Sequence, residues 1–253
     1  MRPQFHKICG ALALASILFA SACSKQDSAG TTPAPDPDAD GKISYEMTAI
    51  NPSSRISGDA AGAERLAAIT NNPSMAKTSG SFDFTWTEVM VRVREVKFAA
   101  KKGNDEVEFK LKTDRLVDVL EAIGFLGVIE IPRGTYEHIK VAVKIAGDEE
   151  NPAAIMKGFI TWEGNDIPFS VRLAGEVNLK ANAKDVIVSD TSLSFTGKLK
   201  LDLKVVMAKL QIGDFTGSFT NGELVINVNV KEETGKKMKD GLENCMQAEH
   251  LRD

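Results

Sequence analysis

Histidine, the side chain that most often transfers protons at neutral pH, is scarce in this chain. Its 253 residues include His6, His138 and His250 and no other histidine. His6 lies in an apolar leader, His250 lies in the C-terminal tail, and His138 falls on the polar face of a predicted strand. None has a visible nucleophile or carboxylate partner. We therefore interpret His138 as a solvated side chain and expect no histidine-dependent reaction.

Sequence motifs for metal or phosphate chemistry are missing as well. The sequence lacks Cys/His clusters with zinc-ligand spacing, glycine-rich phosphate loops, and the G-x-S-x-G and H-E-x-x-H signatures. Two carboxylates from distant positions can still meet in a fold, as glycosidases require, but nothing in the sequence marks such a pair. We expect a protein that is not an enzyme and uses no cofactor. A hydrolase is the third hypothesis, ranked behind the two noncatalytic functions given at the end of this section.

One acidic segment resembles the start of a calcium-binding loop. Asp36, Asp38 and Asp40 stand at its first, third and fifth positions, and Gly41 stands at its sixth. The twelfth position should be a glutamate that binds through both oxygens, but it is Met47, and no helix precedes the segment. An acidic linker is the favoured interpretation, and calcium binding is the weaker one.

Aromatic residues offer one surface for binding. Phe82, Phe84 and Trp86 alternate along a predicted strand, which is more typical of a buried face, because burying each ring is favourable. Trp162 lies beside a predicted hairpin turn and is the better candidate for an exposed ring that stacks on a sugar.

Basic residues offer a second surface. Lys198, Lys200 and Lys204 share one face of a predicted strand, and Arg92 and Arg94 share a face of another. Such a pattern usually marks a solvated strand face. The more specific hypothesis is that these residues form an anion-binding patch for an acidic glycan or a lipid headgroup.

The N-terminus predicts export and a lipid anchor. The apolar run at 8–22 follows two basic residues and is too short to span a bilayer, so residues 1–22 are interpreted as a signal peptide. The sequence ASAC at 20–23 matches a permissive lipobox, in which Cys23 is lipidated. Ordinary cleavage that leaves Cys23 as a bare thiol is the alternative. Ser24 favours the outer membrane of a bacterial cell envelope.

Charge and cysteine content fit an exported acidic protein. The formal net charge is −4, and without the two basic residues of the signal 29 Lys and Arg remain against 35 Asp and Glu, a net charge of −6. This balance argues against nucleic acid as a partner. Cys9 leaves with the signal, so a lipidated Cys23 leaves Cys245 without a disulfide partner. An unmodified Cys23 would permit a 23–245 bridge.

The chain divides into four predicted parts. The signal at 1–22 is followed by the lipidated cysteine and a flexible acidic linker at 23–41, whose residues bury too little apolar surface to become ordered. A β-sandwich domain is predicted at 42–231. The tail at 232–253 is weakly helical, with Met238, Leu242 and Cys245 at helical spacing.

Apolar residues alternate with period two in about nine segments of the domain, which predicts strands. A phase slip predicts a β-bulge near Thr87 or Glu88. Helical spacing of Leu and Val predicts one short helix at 113–123, and the alternation at 192–207 predicts a long strand bent at Gly197. The predicted fold is all-β, an antiparallel β-sandwich of about nine strands with one short helix; a partly open β-barrel is the alternative.

The segment IPRGTYEHIKVAVKI at 131–145 predicts a turn that starts a strand. Pro132 fixes φ, Gly134 can adopt a positive φ, and Tyr136 follows with alternating apolar residues. Such a tyrosine packs its ring inward while its hydroxyl binds backbone at the strand entry, which fixes the register. We interpret Pro132, Gly134 and Tyr136 as scaffold.

The order of three segments resembles a bacterial lipoprotein family, domain of unknown function 4382. They are VMVRVREVKF at 89–98, LVDVL at 116–120 and IPRGTYEHIKV at 131–141. The resemblance covers roughly residues 42–210 and implies a β-rich lipoprotein without an assigned activity.

These observations together predict a lipid-anchored cell-envelope protein that faces the periplasm or the cell surface. Its noncatalytic β-sandwich is expected to be a binding or adhesion module for a glycan or another envelope protein. The alternative is a carrier that holds an apolar ligand or lipid in a β pocket, for which a cavity of several hundred Å³ is needed.

Overall fold

The computed structural model describes residues 39–72, 80–120, 123–188 and 194–252. Within these ranges the chain is mostly β-strand, so the prediction of an all-β protein is confirmed. None of the helices in the described ranges is long and apolar enough to cross a membrane. Cys23, Asp36 and Asp38 lie outside the described residues.

The strands are β1 (Ala39–Ile50), β2 (Ser53–Ser57), β3 (Ser81–Lys102), β4 (Asp105–Asp118), β5 (Gly124–Pro132), β6 (Gly134–Gly147), β7 (Ala154–Trp162), β8 (Asn165–Asn182), β9 (Val186–Val188), β10 (Ser194–Asp202), β11 (Ser218–Thr220), β12 (Glu223–Asn229) and β13 (Met246–Arg252). The helices are α1 (Ala60–Thr70), α2 (Leu203–Met207) and α3 (Glu233–Cys245), with a 3-10 turn at Ile212–Asp214.

The strands form two sheets. In the first sheet, β1 pairs in parallel with β10 and antiparallel with β5, and β13 pairs with the other edge of β10. The second sheet has the order β11-β12-β8-β7-β3-β6-β9, and β2 and β4 pair with the remaining edge of β3. The pair β8–β12 is also parallel. These two parallel pairs depart from the antiparallel arrangement that the alternation predicted.

Strands β6 and β7 lie end to end between the two long strands β3 and β8. Val143 of β6 pairs with Val96 on one side and with Leu179 on the other. Strand β7 pairs in the same way with the N-terminal halves of β3 and β8. The strands β3, β6 and β8 therefore share rows, in which each of the residues 140–145 of β6 has a neighbour on both sides.

Each sheet buries one face, and the two buried faces share one core. Strand β1 contributes Ile43, Tyr45 and Met47, and β3 contributes Phe82 and its alternate neighbours. The parity of the buried positions in β3 changes after Trp86, where the pairing with β7 shifts by one residue. The predicted bulge is confirmed by this shift. Together with a second register shift between Val93 and Glu95, it keeps one face of the 22-residue strand in the core.

The prediction of a helix at 113–123 is wrong. Residues up to Asp118 belong to β4, which pairs with β3 along most of its length. Leu116, which was expected on the buried side of that helix, is 43% exposed. Long-range pairing with a core strand outweighed a weak local helical spacing, as often happens for short segments.

The prediction of one long strand at 192–207 is also wrong. Strand β10 ends at Asp202, whose carboxylate accepts the N–H of Lys204 at 3.0 Å and so caps α2. No break in pairing occurs at Gly197, since its register with β1 and β13 is continuous. A side chain at Gly197 would collide with the Tyr45 ring, which explains the glycine.

The C-terminal residues complete the domain. Helix α3 buries Met238, Leu242 and Cys245 at the spacing that the sequence indicated. Strand β13, which the sequence did not predict, then pairs antiparallel with β10. The last residues of the chain therefore form an edge of the first sheet.

The entry of β6 has the geometry that its sequence predicted. The Tyr136 side chain is fully buried, and its hydroxyl donates a hydrogen bond to the Pro132 carbonyl at 2.6 Å. Gly134 has a φ of +152°. Two residues after Tyr136, His138 adopts a φ of +52°, and its N–H donates to the Asp185 carboxylate at 3.0 Å. His138 therefore lies in a bulge rather than on the regular strand that was predicted.

We expect Tyr136→Phe to lower the free energy of unfolding by about 1 kcal/mol at pH 7, because the Pro132 carbonyl loses its donor while the ring remains. Gly134→Val should cost more, because a β-branched residue is strained at this positive φ. Urea denaturation of both variants measures the two effects. Loss of ligand binding by a fully folded Tyr136→Phe protein would contradict the scaffold role.

Alkaline pH gives this prediction a second test. Burial raises the pKa of Tyr136 to about 12, above its ordinary value of 10.0. The unfolded chain therefore loses this proton first, so the wild type loses stability as pH rises from about 10 to about 12. Tyr136→Phe lacks this loss, and the stability gap between the two proteins should narrow over that range. A constant gap would contradict the role assigned to burial.

Candidate functional site

The aromatic candidate from the sequence is not on the surface. Trp162 is 4% exposed and shares the buried face of β7 with Met156 and Ile160. The hairpin turn at Glu163 and Gly164 begins directly after it. The direction of the Trp162 side chain is nevertheless set by the alternation along β7, in which every second residue faces the core. The prediction of an exposed Trp162 is therefore wrong, whereas Phe82, Phe84 and Trp86 are core residues as expected.

The three lysine candidates do not form one basic face. Lys204 lies in α2, beyond the end of β10. Lys198 pairs in register with Glu46 on one side and Glu249 on the other, and the Lys200 Nζ atom lies 3.2 Å from a Glu249 oxygen. The outer face of the first sheet therefore alternates in charge, which does not favour an anion.

The arginine pair is partly neutralised. Arg92 Nη1 lies 3.5 Å from one Asp114 oxygen, and Arg94 forms a close ion pair with the other. Both arginines are thus engaged by one carboxylate of the neighbouring strand β4. One carboxylate for two guanidinium groups leaves a single positive charge unbalanced.

Metal chemistry finds no support within the described residues. They contain no group of three or more His, Cys, Asp or Glu that could hold a metal ion. Asp40 is the second residue of β1, while Asp36 and Asp38 lie outside the described part of the chain, so the calcium hypothesis is not tested.

A cleft of about 710 Å³ opens on the outer face of the second sheet, across β3, β6 and β8. Its floor includes Ala142, which stands in one row with Lys97 of β3 and Lys180 of β8. Lys140 and Lys144 lie two residues away on either side along β6. We call this surface, defined by Lys97, Lys140, Ala142, Lys144 and Lys180, the lysine cleft.

The spacing of β-strands fixes the geometry of the lysine cleft. Adjacent strands lie about 4.8 Å apart, and two residues along a strand cover about 6.7 Å. Each of the four lysine Cα atoms is therefore within about 7 Å of the Ala142 Cα atom. A methyl group surrounded by four long side chains produces the concavity, and the ammonium groups form its walls.

The positive charge of the lysine cleft is only partly neutralised. A Glu176 oxygen lies 2.6 Å from Lys144 Nζ, and Glu108 bonds both Lys110 and Lys97. These hydrogen bonds hold the pKa values of Glu176 and Glu108 below their usual range.

Lys140 and Lys180 form no ion pair with any residue in the described ranges. Four lysines and two glutamates, Glu95 and Glu176, line the cleft. The lining therefore carries an excess of two positive charges.

A second cleft of about 340 Å³ adjoins the first and shares Ala99 and Lys140 with it. It lies between β3, β4 and β6, where Lys101, Glu106, Glu108 and His138 contribute to its lining. We call it the acidic cleft, because Glu106 and Glu108 stand on its β4 side. The two clefts adjoin at Ala99 and Lys140 and together span β8, β6, β3 and β4, and we call the pair of clefts the groove.

The groove offers charged groups and amides that suit the binding of a polar ligand. It contains ammonium groups, carboxylates and the amides of Asn178 and Asn182, and none of its lining residues is aromatic, cysteine, serine or threonine. Its histidine, His138, is exposed and has no carboxylate positioned to orient its ring among the hydrogen bonds of the described residues. Electrostatic binding of an anion is the chemistry that this arrangement supports best.

Sequence reasoning missed the lysine cleft because three separate strands build it. Lys140 and Lys144 flank Ala142 in one strand, and this small residue between two lysines is the available local signal. Lys97 and Lys180 lie about 40 positions away on either side, and only the register brings them beside Ala142.

Comparisons with models of known protein families, with curated proteins and with solved structures find no match for this chain. The resemblance to a bacterial lipoprotein family therefore stays a prediction.

Cys245 is a buried free thiol rather than a reactive group. It is 1% exposed, its Sγ donates to the Leu242 carbonyl, and burial raises its pKa to about 12. At pH 8 we expect maleimide to modify native Cys245 at least about 100-fold more slowly than the unfolded chain, because the thiolate is the reactive form. Peptide mapping after timed quenching measures this ratio. Rapid labelling of the folded protein would contradict the burial of this thiol.

Proposed function

We propose that this protein is a noncatalytic binding module of the bacterial cell envelope that holds an acidic polysaccharide in the lysine cleft. A lipid at Cys23 anchors the domain to a membrane, and Ser24 favours the outer membrane. The acidic linker between anchor and domain lets the β-sandwich reach its polymer away from the lipid surface. Binding and tethering, rather than turnover, are its role.

The observation that carries this proposal is the cluster of four lysines around Ala142. The chain as a whole has a net charge of −4, so this cluster is a local positive region on an acidic protein. A concave site with one sign of charge concentrates ligands of the opposite sign and steers their approach. Lys140 and Lys180 have no competing carboxylate at ion-pair distance among the described residues, which leaves them available to a ligand.

An acidic polysaccharide fits the groove better than a neutral one. Neutral sugars are usually held by aromatic rings, and the aromatic residues of the second sheet that the sequence suggested for this role are buried. The groove instead offers charge for carboxylates and the side-chain amides of Asn178 and Asn182 for hydroxyl groups.

A protein, a membrane surface and a nucleic acid fit less well. Protein interfaces depend on aromatic or aliphatic anchors at their centre, where this cleft has a methyl group and ammonium groups. A membrane surface is flat, whereas the lysines surround a depression. Single-stranded nucleic acids need aromatic platforms for their bases, and the groove lining has none.

The interior does not favour a carrier of apolar ligands. The ring of Phe84 contacts that of Phe169 at 5.7 Å between centroids and that of Phe215 at 4.5 Å, and Trp86 contacts Phe169 at 4.9 Å. These packed rings fill this part of the core and leave no room there for a lipid chain.

Affinity for immobilised polygalacturonate tests the proposal. We expect the mature chain to bind this polymer at low salt and to ignore uncharged dextran. The double variant Lys140→Gln, Lys180→Gln should bind about tenfold more weakly, because it removes the two unpaired ammonium groups from the cleft. Biolayer interferometry over a salt series provides the affinities.

A charge-matched control separates the cleft from general surface charge. Lys204→Gln with Lys236→Gln removes the same two charges from exposed positions in α2 and α3, and should change the affinity less than twofold. Equal weakening by both double variants would refute a specific site. Failure to bind any acidic polysaccharide, with retention of an acidic protein, vesicle or oligonucleotide instead, would refute the glycan.

A further inference from the structure

Resting on the proposed function, we infer that the groove selects a polysaccharide in which an acidic sugar is followed by an uncharged one. The acidic sugar occupies the lysine cleft, and the uncharged sugar occupies the acidic cleft. The groove therefore distinguishes polymers by the order of their charges and not by total charge alone.

The continuity of the two clefts supports a ligand that is longer than one sugar. Ala99 and Lys140 line both clefts, so the two clefts are direct neighbours on the sheet. Ala99 lies diagonal to Ala142 across the β3–β6 pair, since Lys97 is the direct partner of Ala142. Diagonal neighbours on a sheet are about 7–8 Å apart, so a linear chain entering the lysine cleft passes directly into the acidic one.

The charge of the groove changes along this path. Four lysines face two glutamates in the lysine cleft, whereas Lys101 and the shared Lys140 face Glu106 and Glu108 in the acidic cleft. Glu106 pairs in register with Lys101, and the low pKa of Glu108 keeps it ionised while it bonds Lys110 and Lys97. Positive charge is therefore in excess at one end of the groove and balanced at the other.

This asymmetry has a direct consequence for the ligand. In a homopolymer of uronic acids, the second carboxylate would lie in the acidic cleft against Glu106 and Glu108, at an unfavourable electrostatic cost. A neutral sugar there exposes hydroxyl groups, which donate hydrogen bonds to the same carboxylates. The two glutamates thus disfavour one class of polymer and bind the other.

Glu106→Gln tests this inference, because it removes one negative charge from an exposed position while it keeps a hydrogen-bond acceptor. The probes are polygalacturonate, which carries a carboxylate on every sugar, and hyaluronan, in which acidic and neutral sugars alternate. We expect the variant to bind polygalacturonate about threefold more tightly than the wild type does, and hyaluronan with less than a 1.5-fold change. Glu64→Gln, on the exposed side of α1, is the matched control and should alter neither affinity.

Each remaining outcome decides the question. An equal gain in affinity for both polymers would show that Glu106 acts only through general charge. No gain in affinity for either polymer would show that the ligand does not reach the acidic cleft. Both results overturn the inference while the proposed function stands. If the wild type binds neither polymer at low salt, the proposed function itself fails, and the inference fails with it.

Discussion

The register of β6 between β3 and β8 is the constraint on which the lysine cleft depends. A shift of one residue would turn Lys140, Ala142 and Lys144 toward the core and bring Val141 and Val143 to the surface. Two devices prevent this shift. The Tyr136 hydroxyl binds the Pro132 carbonyl at the strand entry, and the bulge at His138 sets the parity of every residue that follows. The hydrogen bond and the bulge at the start of β6 therefore determine which residues lie on the outer face further along the strand.

The core and the binding surface are two faces of the same strands. Val96, Val143 and Leu179 form one row on the buried side, while Lys97, Ala142 and Lys180 form the next row on the outer side. Because many apolar contacts hold the buried rows, the outer rows are held at fixed spacing without contributing to stability themselves. A binding site on paired strands loses little conformational freedom when a ligand arrives, which favours affinity.

The alternation of apolar and polar residues in the sequence was sufficient to predict much of the fold. The change of phase after Trp86 marked a bulge, and the turn before Tyr136 marked a strand entry with an inward ring. Features that depend on distant partners were not predictable in this way. The segment at 113–118 has helical spacing yet pairs with β3, and Trp162 follows the parity of its strand rather than its proximity to a turn. The lysine cleft belongs to the same class, since its four lysines are assembled by register and no local pattern contains them all.

The proposed function requires that a shaped cleft, and not diffuse positive charge, binds the polymer. Ala142→Ile tests it directly, because a larger β-branched side chain raises the floor, suits a strand, and leaves all four lysines in place. Ala146→Ile, on the same outer face of β6 but outside the residues that line the groove, is the matched control. We expect Ala142→Ile to lower the affinity for polygalacturonate about tenfold without loss of stability, and Ala146→Ile to leave the affinity unchanged. Undiminished binding by folded Ala142→Ile protein would contradict the account.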